Sequence, residues 1–173
     1  AVLKIQVHAG GRGKAGGVVT VSNVSQARKE AERIMALRIG GERPSALLLE
    51  ESSRHNEEMY LSVALDRGRR SFVTIASRDG GIDVESLSGR VMGPVPIEGL
   101  SDSLAADVAG KLSLAGRTKD DFLKTLLNLE RLVREEECEL AEINPLAVEE
   151  SGEIVALDSK IILDDNALFR HPE

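Results

Sequence analysis

The 173-residue chain is 42% hydrophobic and 29% charged, a balance typical of one globular domain or of one domain with two lobes. Its net charge of −7 argues against a general nucleic-acid binder, and no apolar run is long enough to span a membrane. Cys138 is the only cysteine, which excludes an intrachain disulfide and a cysteine zinc cluster and favours an intracellular, reducing compartment.

The first thirty residues are basic in an otherwise acidic chain. No carboxylate side chain precedes Glu30, whereas five cationic residues do: Lys4, Arg12, Lys14, Arg28 and Lys29. This distribution suits a small anion, for which phosphate is the natural candidate. Because the chain starts at Ala1 inside a strand-like run and without Met, we expect a fragment of a longer protein.

Hydrophobic periodicity predicts strand, loop, strand, helix and strand in the first fifty residues. Residues 2–8 alternate apolar and polar side chains, and residues 9–17 hold five glycines. The second strand is expected at 17–21, where the four residues after Gly17 are β-branched. A helix is expected from an N-cap at Ser25 to about Arg38, ended by two glycines. Residues 45–51 form a short apolar strand that arrives at two carboxylates.

The middle of the chain predicts a hairpin followed by a linker. Residues 58–67 and 71–77 alternate on either side of a turn and are expected to pair. Residues 88–99 contain three glycines and two prolines, which predicts a connector without regular structure. We therefore expect an N-terminal lobe at 1–87, incomplete at its start, a connector at 88–100 and a C-terminal lobe at 101–173.

The last third predicts two helices and a hairpin. One helix covers about 101–114, and the next opens at Thr118 with Asp121 as its capping-box partner. Its apolar stripe is a core face made of Phe122, Leu126, Leu129 and Val133. Strands are expected at 138–149 and 154–163, which makes the fold class α+β, or mixed α/β.

Residues 11–16, GRGKAG, match the pattern G-x-G-x-x-G. A Walker A loop is excluded because Ala15, which follows Gly13-Lys14, has no hydroxyl for Mg²⁺. A dinucleotide-binding loop needs a helix after its last glycine, whereas residues 18–21 favour a strand. A strand–loop–strand flap over nucleotide phosphates fits, and a flexible hairpin turn is the alternative.

The final hairpin predicts a polar cluster on one face. If its turn is centred on Ser151, Asn144 lies opposite Asp158, and Glu142 lies opposite Lys160. An amide and a carboxylate side by side offer oxygen ligands to Mg²⁺. Glu142, oriented by Lys160, could act on a phosphoryl acceptor. The alternative is an ordinary solvated face with one salt bridge.

With these features in place, the chain resembles the nucleotide-binding domain of the succinyl-CoA synthetase β subunit. That domain is an ATP-grasp fold, which binds its nucleotide between two lobes. Five segments at family-like spacing carry the resemblance: KIQVHAGGRGKAGG (4–17), LLLEESSRHNEEMYL (47–61), LAEINPLAV (140–148), ALDSKI (156–161) and DNALFRHPE (165–173).

The resemblance implies a role for each candidate residue. Phosphate contacts fall to Lys4, Gly11, Arg12 and Gly13, base and ribose contacts to Glu50, Ser53 and Glu58, and Mg²⁺ ligation to Asn144 and Asp158. Glu142 would assist phosphoryl transfer to or from a histidine of the partner α subunit. We therefore expect neither His8 nor His55 to be the phosphorylated residue.

The resemblance also implies a carbon–sulfur ligase of the tricarboxylic acid cycle. Nucleoside triphosphate, succinate and CoA would give nucleoside diphosphate, phosphate and succinyl-CoA reversibly, through a phosphohistidine and an acyl phosphate. Its cofactors would be Mg²⁺ and ATP/ADP or GTP/GDP. Its partner would be the α subunit, which carries the phosphohistidine and the CoA site, in a heterodimer or heterotetramer. The expected location is the cytoplasm, or the mitochondrial matrix in a eukaryote, with no nucleic-acid or membrane partner.

The chain departs from the family pattern in three places. Ser53 stands where the family often has Thr, residues 82–97 look shorter than usual, and the flanking segments, including the C-terminal CoA-ligase domain, are absent. We therefore expect nucleotide binding by the chain alone, without ligase turnover. Three alternatives stay open: a malate–CoA ligase or ATP-citrate-lyase-like subunit, a non-catalytic dinucleotide-binding module, and a structural fragment.

Overall fold

The computed structural model describes residues 1–87 and 89–172 and divides the chain into two compact units. The first unit is Ala1–Ser53 and the second begins at Arg54. The sequence prediction placed the boundary after residue 87 instead. The difference arises because the strand that follows Ser53 pairs with a strand near residue 140, as described below. Ser88, where the predicted connector begins, and Glu173, the end of the predicted C-terminal lobe, lie outside the described residues.

The first unit is a three-stranded antiparallel sheet with one helix. Its strand order is β2-β1-β3. The elements in chain order are β1 (Val2–Gln6), β2 (Val18–Thr20), α1 (Val24–Met35) and β3 (Ala46–Glu50). The predicted order of strand, loop, strand, helix and strand is therefore confirmed. Its core is formed by apolar residues of β1, of α1 and of the segments that follow β2 and α1: Leu3, Ile5, Val21, Ile34 and Ile39.

The predicted N-cap of α1 was wrong by two residues. Asn23, in extended conformation, caps the helix, since its side-chain oxygen accepts a 2.9 Å bond from the Gln26 amide. Ser25 lies inside the first turn, and the helix ends at Met35 rather than near Arg38.

The second unit is a six-stranded antiparallel sheet covered by two helices. The strand order is β6-β5-β4-β7-β8, and β9 also pairs with β7. The elements are β4 (His55–Asp66), β5 (Ser71–Ser77), β6 (Val91–Val95), α2 (Asp102–Lys111), α3 (Gly116–Glu135), β7 (Cys138–Glu149), β8 (Ile154–Ala156) and β9 (Ser159–Leu163). The predicted hairpin of β4 and β5 is confirmed.

The prediction of an irregular connector at 88–100 was wrong for residues 91–95. Val91–Val95 form β6, which pairs with β5 at the edge of the sheet. An edge strand tolerates Pro94, which cannot donate a backbone hydrogen bond. Gly93 permits a close approach, because a Cβ there would lie 2.7 Å from Thr74 Oγ1. The breakers therefore mark a tightly packed edge strand.

The prediction that Thr118 starts the second helix was also wrong. Helix α3 begins at Gly116, after Ala115, and has no side-chain cap. Thr118 Oγ1 instead donates a 3.0 Å hydrogen bond to the Gly152 carbonyl in the turn between β7 and β8. The predicted core stripe of α3 is confirmed, because all four of its residues are buried. None of the described helices is long and apolar enough to cross a membrane.

Candidate functional site

The glycine-rich segment of the first unit joins two antiparallel strands. Three backbone bonds fold it on itself: Ala15 N to Gly11 O, Gly16 N to Gly13 O and Gly17 N to Arg12 O. Gly11 has φ +78°, a left-handed conformation that favours glycine. Since β2 begins at Val18, no helix follows the loop, which counts against a dinucleotide-binding loop.

Two predicted ligand residues of the first unit are in direct contact. Lys4 is 8% exposed, and its ammonium forms an ion pair with the Glu50 carboxylate. Lys4 lies opposite Leu48, so Glu50, two residues further along β3, is on the same face of the sheet. A buried lysine needs such a counter-charge. Ser53, the last residue of the unit, is half-buried.

The arginine of the glycine loop is directed back onto the strand before it. Arg12 Nη1 donates to the Ile5 carbonyl at 3.3 Å. Arg33, from helix α1, donates through Nη2 to the Gly16 carbonyl at 3.3 Å. Guanidinium groups therefore support the loop at both ends. The predicted strand–loop–strand order is confirmed, and a flap over nucleotide phosphates stays a prediction.

The predicted register of the final hairpin is confirmed. Glu142 pairs with Lys160 in β7 and β9, and Leu146 pairs with Ala156 in β7 and β8. Between these pairs, the Asn144 amide donates to the Asp158 carbonyl at 3.1 Å. The two predicted metal ligands therefore lie at opposing positions of one hairpin.

A β-bulge in β7 determines where the Asn144 side chain goes. Met59 pairs with Leu146 and Leu61 with Ile143, so one residue of β4 faces two of β7. Such bulges re-aim side chains. Asn144 Oδ1 accepts from the Gly81 amide at 2.7 Å, and Nδ2 donates to the Ile82 carbonyl at 2.9 Å. The two bonds hold the loop after β5 and orient the carboxamide.

Asn144 and Asp158 fit a magnesium ion by the chemistry of their oxygen atoms. The Gly81 bond uses one of the two lone pairs of Asn144 Oδ1, and Asp158 Oδ1 accepts from the Ser159 amide at 3.0 Å. Mg²⁺ at nucleotides takes one or two protein oxygens and completes its octahedron with water and phosphate. Among residues 1–87 and 89–172, no group of three or more His, Cys, Asp or Glu could hold a metal. Two protein oxygens are the number that Mg²⁺ takes when water and phosphate complete its octahedron.

Tyr60 is a functional candidate that the sequence analysis missed. Its hydroxyl donates a 2.9 Å hydrogen bond to Glu142 Oε2, and the residue is 2% exposed. Burial raises the pKa of the Tyr60 phenol above its ordinary value, and the Glu142 charge raises this pKa further. We had expected Lys160 to orient Glu142. Lys160 is opposite Glu142 in register, but the hydrogen bond to the carboxylate comes from Tyr60.

Glu58 lies within β4 in the second unit, whereas the prediction placed it at the start of a strand in the same lobe as Glu50. Its Oε1 is 3.0 Å from His55 Nε2. A Cβ at Gly81, which has φ +68°, would lie 2.3 Å from Glu58 Oε2. The loop after β5 therefore lies directly against Glu58.

The alternation of β4 contained the signal for Tyr60. Side chains at i and i+2 share a face, so Glu58, Tyr60 and Ser62 face away from Met59, Leu61 and Val63. What the alternation could not reveal is the partner strand, since Ser62 lies opposite Glu142, far along the chain.

Comparison with known proteins gives a family and several relatives. The family profile of the ATP-grasp domain matches residues 1–148. The β subunit of succinate–CoA ligase (ADP-forming) from Francisella tularensis subsp. holarctica strain OSU18 is 41% identical over 187 aligned positions. That alignment covers 100% of this chain and 48% of the relative. The Syntrophotalea carbinolica protein of the same name is 42% identical over 185 positions, covering 99% and 48%. The chain thus spans about half the length of these relatives.

Solved structures share the fold. ATP citrate lyase from Methanothrix soehngenii, in complex with citrate and coenzyme A, aligns with a TM-score of 0.76 and 27% identity. The alignment covers 97% of this chain and 39% of that one. A dinucleotide forming acetyl-coenzyme A synthetase of Ca. Korarchaeum cryptofilum aligns with a TM-score of 0.74 and 22% identity, over 94% and 76%. At that identity, the likeness shows the fold alone.

Proposed function

The chain belongs to the ATP-grasp domain family, and on this premise we propose that it is the nucleotide- and Mg²⁺-binding part of a succinate–CoA ligase β subunit. The complete ligase transfers a phosphoryl group between ATP or GTP and a histidine of its α subunit. The overall reaction makes succinyl-CoA from succinate and CoA, with release of nucleoside diphosphate and phosphate, and is reversible.

One observation carries this proposal: the polar side chains of the final hairpin. Glu142 and Asn144 are two residues apart in β7, and Asp158 lies between β8 and β9, opposite Asn144. Phosphoryl transfer needs positioning and charge neutralisation more than covalent chemistry. A magnesium site two residues from a carboxylate that can face the accepting histidine meets that need.

The remaining residues are assigned by chemistry. Lys4 and the Gly11-Arg12-Gly13 segment would supply cationic groups and close backbone approach to the phosphates. Hydrogen bonds to the base and the ribose would come from Glu50, Ser53 and Glu58. Because Glu50 already forms an ion pair with Lys4, nucleotide binding and this pair are expected to be coupled.

The partner of this module is the α subunit of the ligase, in a heterodimer or heterotetramer. It would supply the phosphorylated histidine and the CoA site. Since the chain spans about half of its relatives, we propose that the chain alone binds nucleotide without ligase turnover.

An ATP-citrate-lyase-like subunit is the second candidate. It is favoured by the TM-score of 0.76 with the Methanothrix soehngenii enzyme. The two candidates differ in the carboxylic acid that is joined to CoA, so assay of the complete enzyme with succinate, malate and citrate separates them. A dinucleotide-binding module is disfavoured by the strand at Val18–Thr20.

A thermal-shift titration with Mg·ADP tests nucleotide binding by this chain. Binding at one hundred times Kd stabilises a protein by about 2.7 kcal/mol, which is readily detected. We expect Asp158→Ala to reduce the shift, and ADP with EDTA to do the same. Asp165→Ala, at an exposed aspartate of the C-terminal turn, is the matched control. No shift in the wild type, or an unchanged shift in Asp158→Ala, would contradict the proposal.

A further inference from the structure

Tyr60 and Glu142 form a side-chain pair across two central strands of the second unit. The Tyr60 hydroxyl donates to Glu142 Oε2 at 2.9 Å, and the tyrosine is 2% exposed. Ser62 lies directly opposite Glu142, which places Tyr60 two residues away on the same face of β4. The register of β4 and β7 therefore brings the two side chains to neighbouring positions on the same face of the sheet.

The chemistry of the pair is that of a fixed donor and a charged acceptor. A phenol in a buried position stays protonated, so it donates whenever the carboxylate is ionised. Hydrogen bonds to an ionised oxygen are stronger than neutral ones. Within residues 1–87 and 89–172, no hydrogen bond is made to Oε1 of Glu142, so the pair leaves one carboxylate oxygen for a ligand.

We propose that Tyr60 is a positioning residue that holds the Glu142 carboxylate in the orientation required for phosphoryl transfer. This proposal rests on the role of Glu142 given above. A glutamate side chain rotates about three bonds, and water-exposed carboxylates sample many orientations. One hydrogen bond from a rigid, buried ring limits that sampling. Small misplacements of a reacting group can lower a rate by about 100-fold.

A first experiment uses the fact that Tyr60 is the only tyrosine in a chain without tryptophan. Its intrinsic emission therefore reports one site. A phenol hydrogen-bonded to a carboxylate emits weakly, because the excited phenol loses its proton to that carboxylate. We expect Glu142→Gln to brighten the emission and Glu139→Gln to leave it unchanged. Glu139 is in the same strand but pairs with Arg67.

A second experiment measures catalysis by the complete ligase that contains this chain. Tyr60→Phe keeps the ring and removes only the donor. We expect kcat for phosphorylation of the α-subunit histidine to fall about 10- to 100-fold, with KM for Mg·ATP unchanged. A structural role alone would not separate kcat from KM, and circular dichroism verifies that the variant folds.

The outcomes distinguish this inference from the proposed function. A wild-type kcat in Tyr60→Phe, or unchanged emission in Glu142→Gln, would overturn the role of Tyr60 while Mg·ADP binding stands. A wild-type chain that does not respond to Mg·ADP would contradict the proposed function, and the role of Tyr60 with it. Loss of kcat with unchanged KM, together with brighter emission, supports the inference.

Discussion

The two hydrogen bonds of Asn144 should stabilise the second unit measurably. Asn144→Ala removes the acceptor for Gly81 and the donor for Ile82. A typical intramolecular hydrogen bond contributes about 0.5–1.5 kcal/mol, so two contribute about 1–3 kcal/mol. Water can reach both loop residues after truncation, since they are exposed. We therefore expect a loss of about 1–2 kcal/mol in the free energy of unfolding.

Urea denaturation followed by tyrosine emission measures this loss. Tyr60 is in the second unit, so the emission reports unfolding of that unit by itself. Thermal unfolding gives a second measurement, since in a chain of this length a loss of 1–2 kcal/mol corresponds to a decrease in Tm of about 2–8 °C. Asn56→Ala is the matched control, because Asn56 is an exposed residue of β4. It should change stability by less than about 0.5 kcal/mol.

Asn144→Asp separates the structural role from metal binding. The carboxylate keeps the acceptor for the Gly81 amide but opposes the Ile82 carbonyl with an anion, so the apo protein should again be destabilised. A carboxylate is also a good ligand for Mg²⁺, and stabilisation by Mg·ADP should therefore survive.

The result for Asn144→Ala decides whether the two hydrogen bonds hold the loop. If the free energy of unfolding of this variant lies within about 0.5 kcal/mol of the wild-type value, the reasoning is refuted.

Further predictions concern the core, the glycines and the pH dependence of stability. Leu126→Ala, at a fully buried position of α3, should cost about 2–5 kcal/mol in urea denaturation. Gly81→Ala should lower the free energy of unfolding by about 1–2 kcal/mol, because φ is +68°. Gly110, in helix α2, has open space at its Cβ, so Gly110→Ala should leave the free energy of unfolding unchanged or raise it. Thermal unfolding measures both. Hydrogen bonds from Arg170 and, to a smaller extent, from His171 lower the pKa of Glu137 from 4.5 to about 2. The stabilisation that they give is present above pH 4.5 and is lost as the pH falls toward 2. Acid titration of unfolding should therefore be steeper in the wild type than in Glu137→Gln, and equal slopes would contradict this.

The local sequence pattern predicted an element correctly where neighbouring residues alone determine that element. Alternation and β-branching predicted β1 and β2 around the glycine loop, and the helical period predicted the buried face of α3. The hairpin register was also predictable, because a short polar turn between two strands allows few pairings. Errors came where tertiary contacts compete with local signals: the Thr118 hydroxyl bonds to a distant turn, and the glycine and proline of Val91–Val95 serve an edge strand.

The sequence by itself therefore determined the order of elements in the first unit, the cationic loop and the opposition of Asn144 and Asp158, since each depends on residues that are near in sequence. Only the tertiary structure decided that β4 lies beside β7. This pairing divides the chain after Ser53, brings Tyr60 to Glu142, and sets the bulge that directs Asn144 to the loop after β5. Pairing between strands that are distant along the chain depends on how the whole sheet buries its apolar face, which no local pattern encodes.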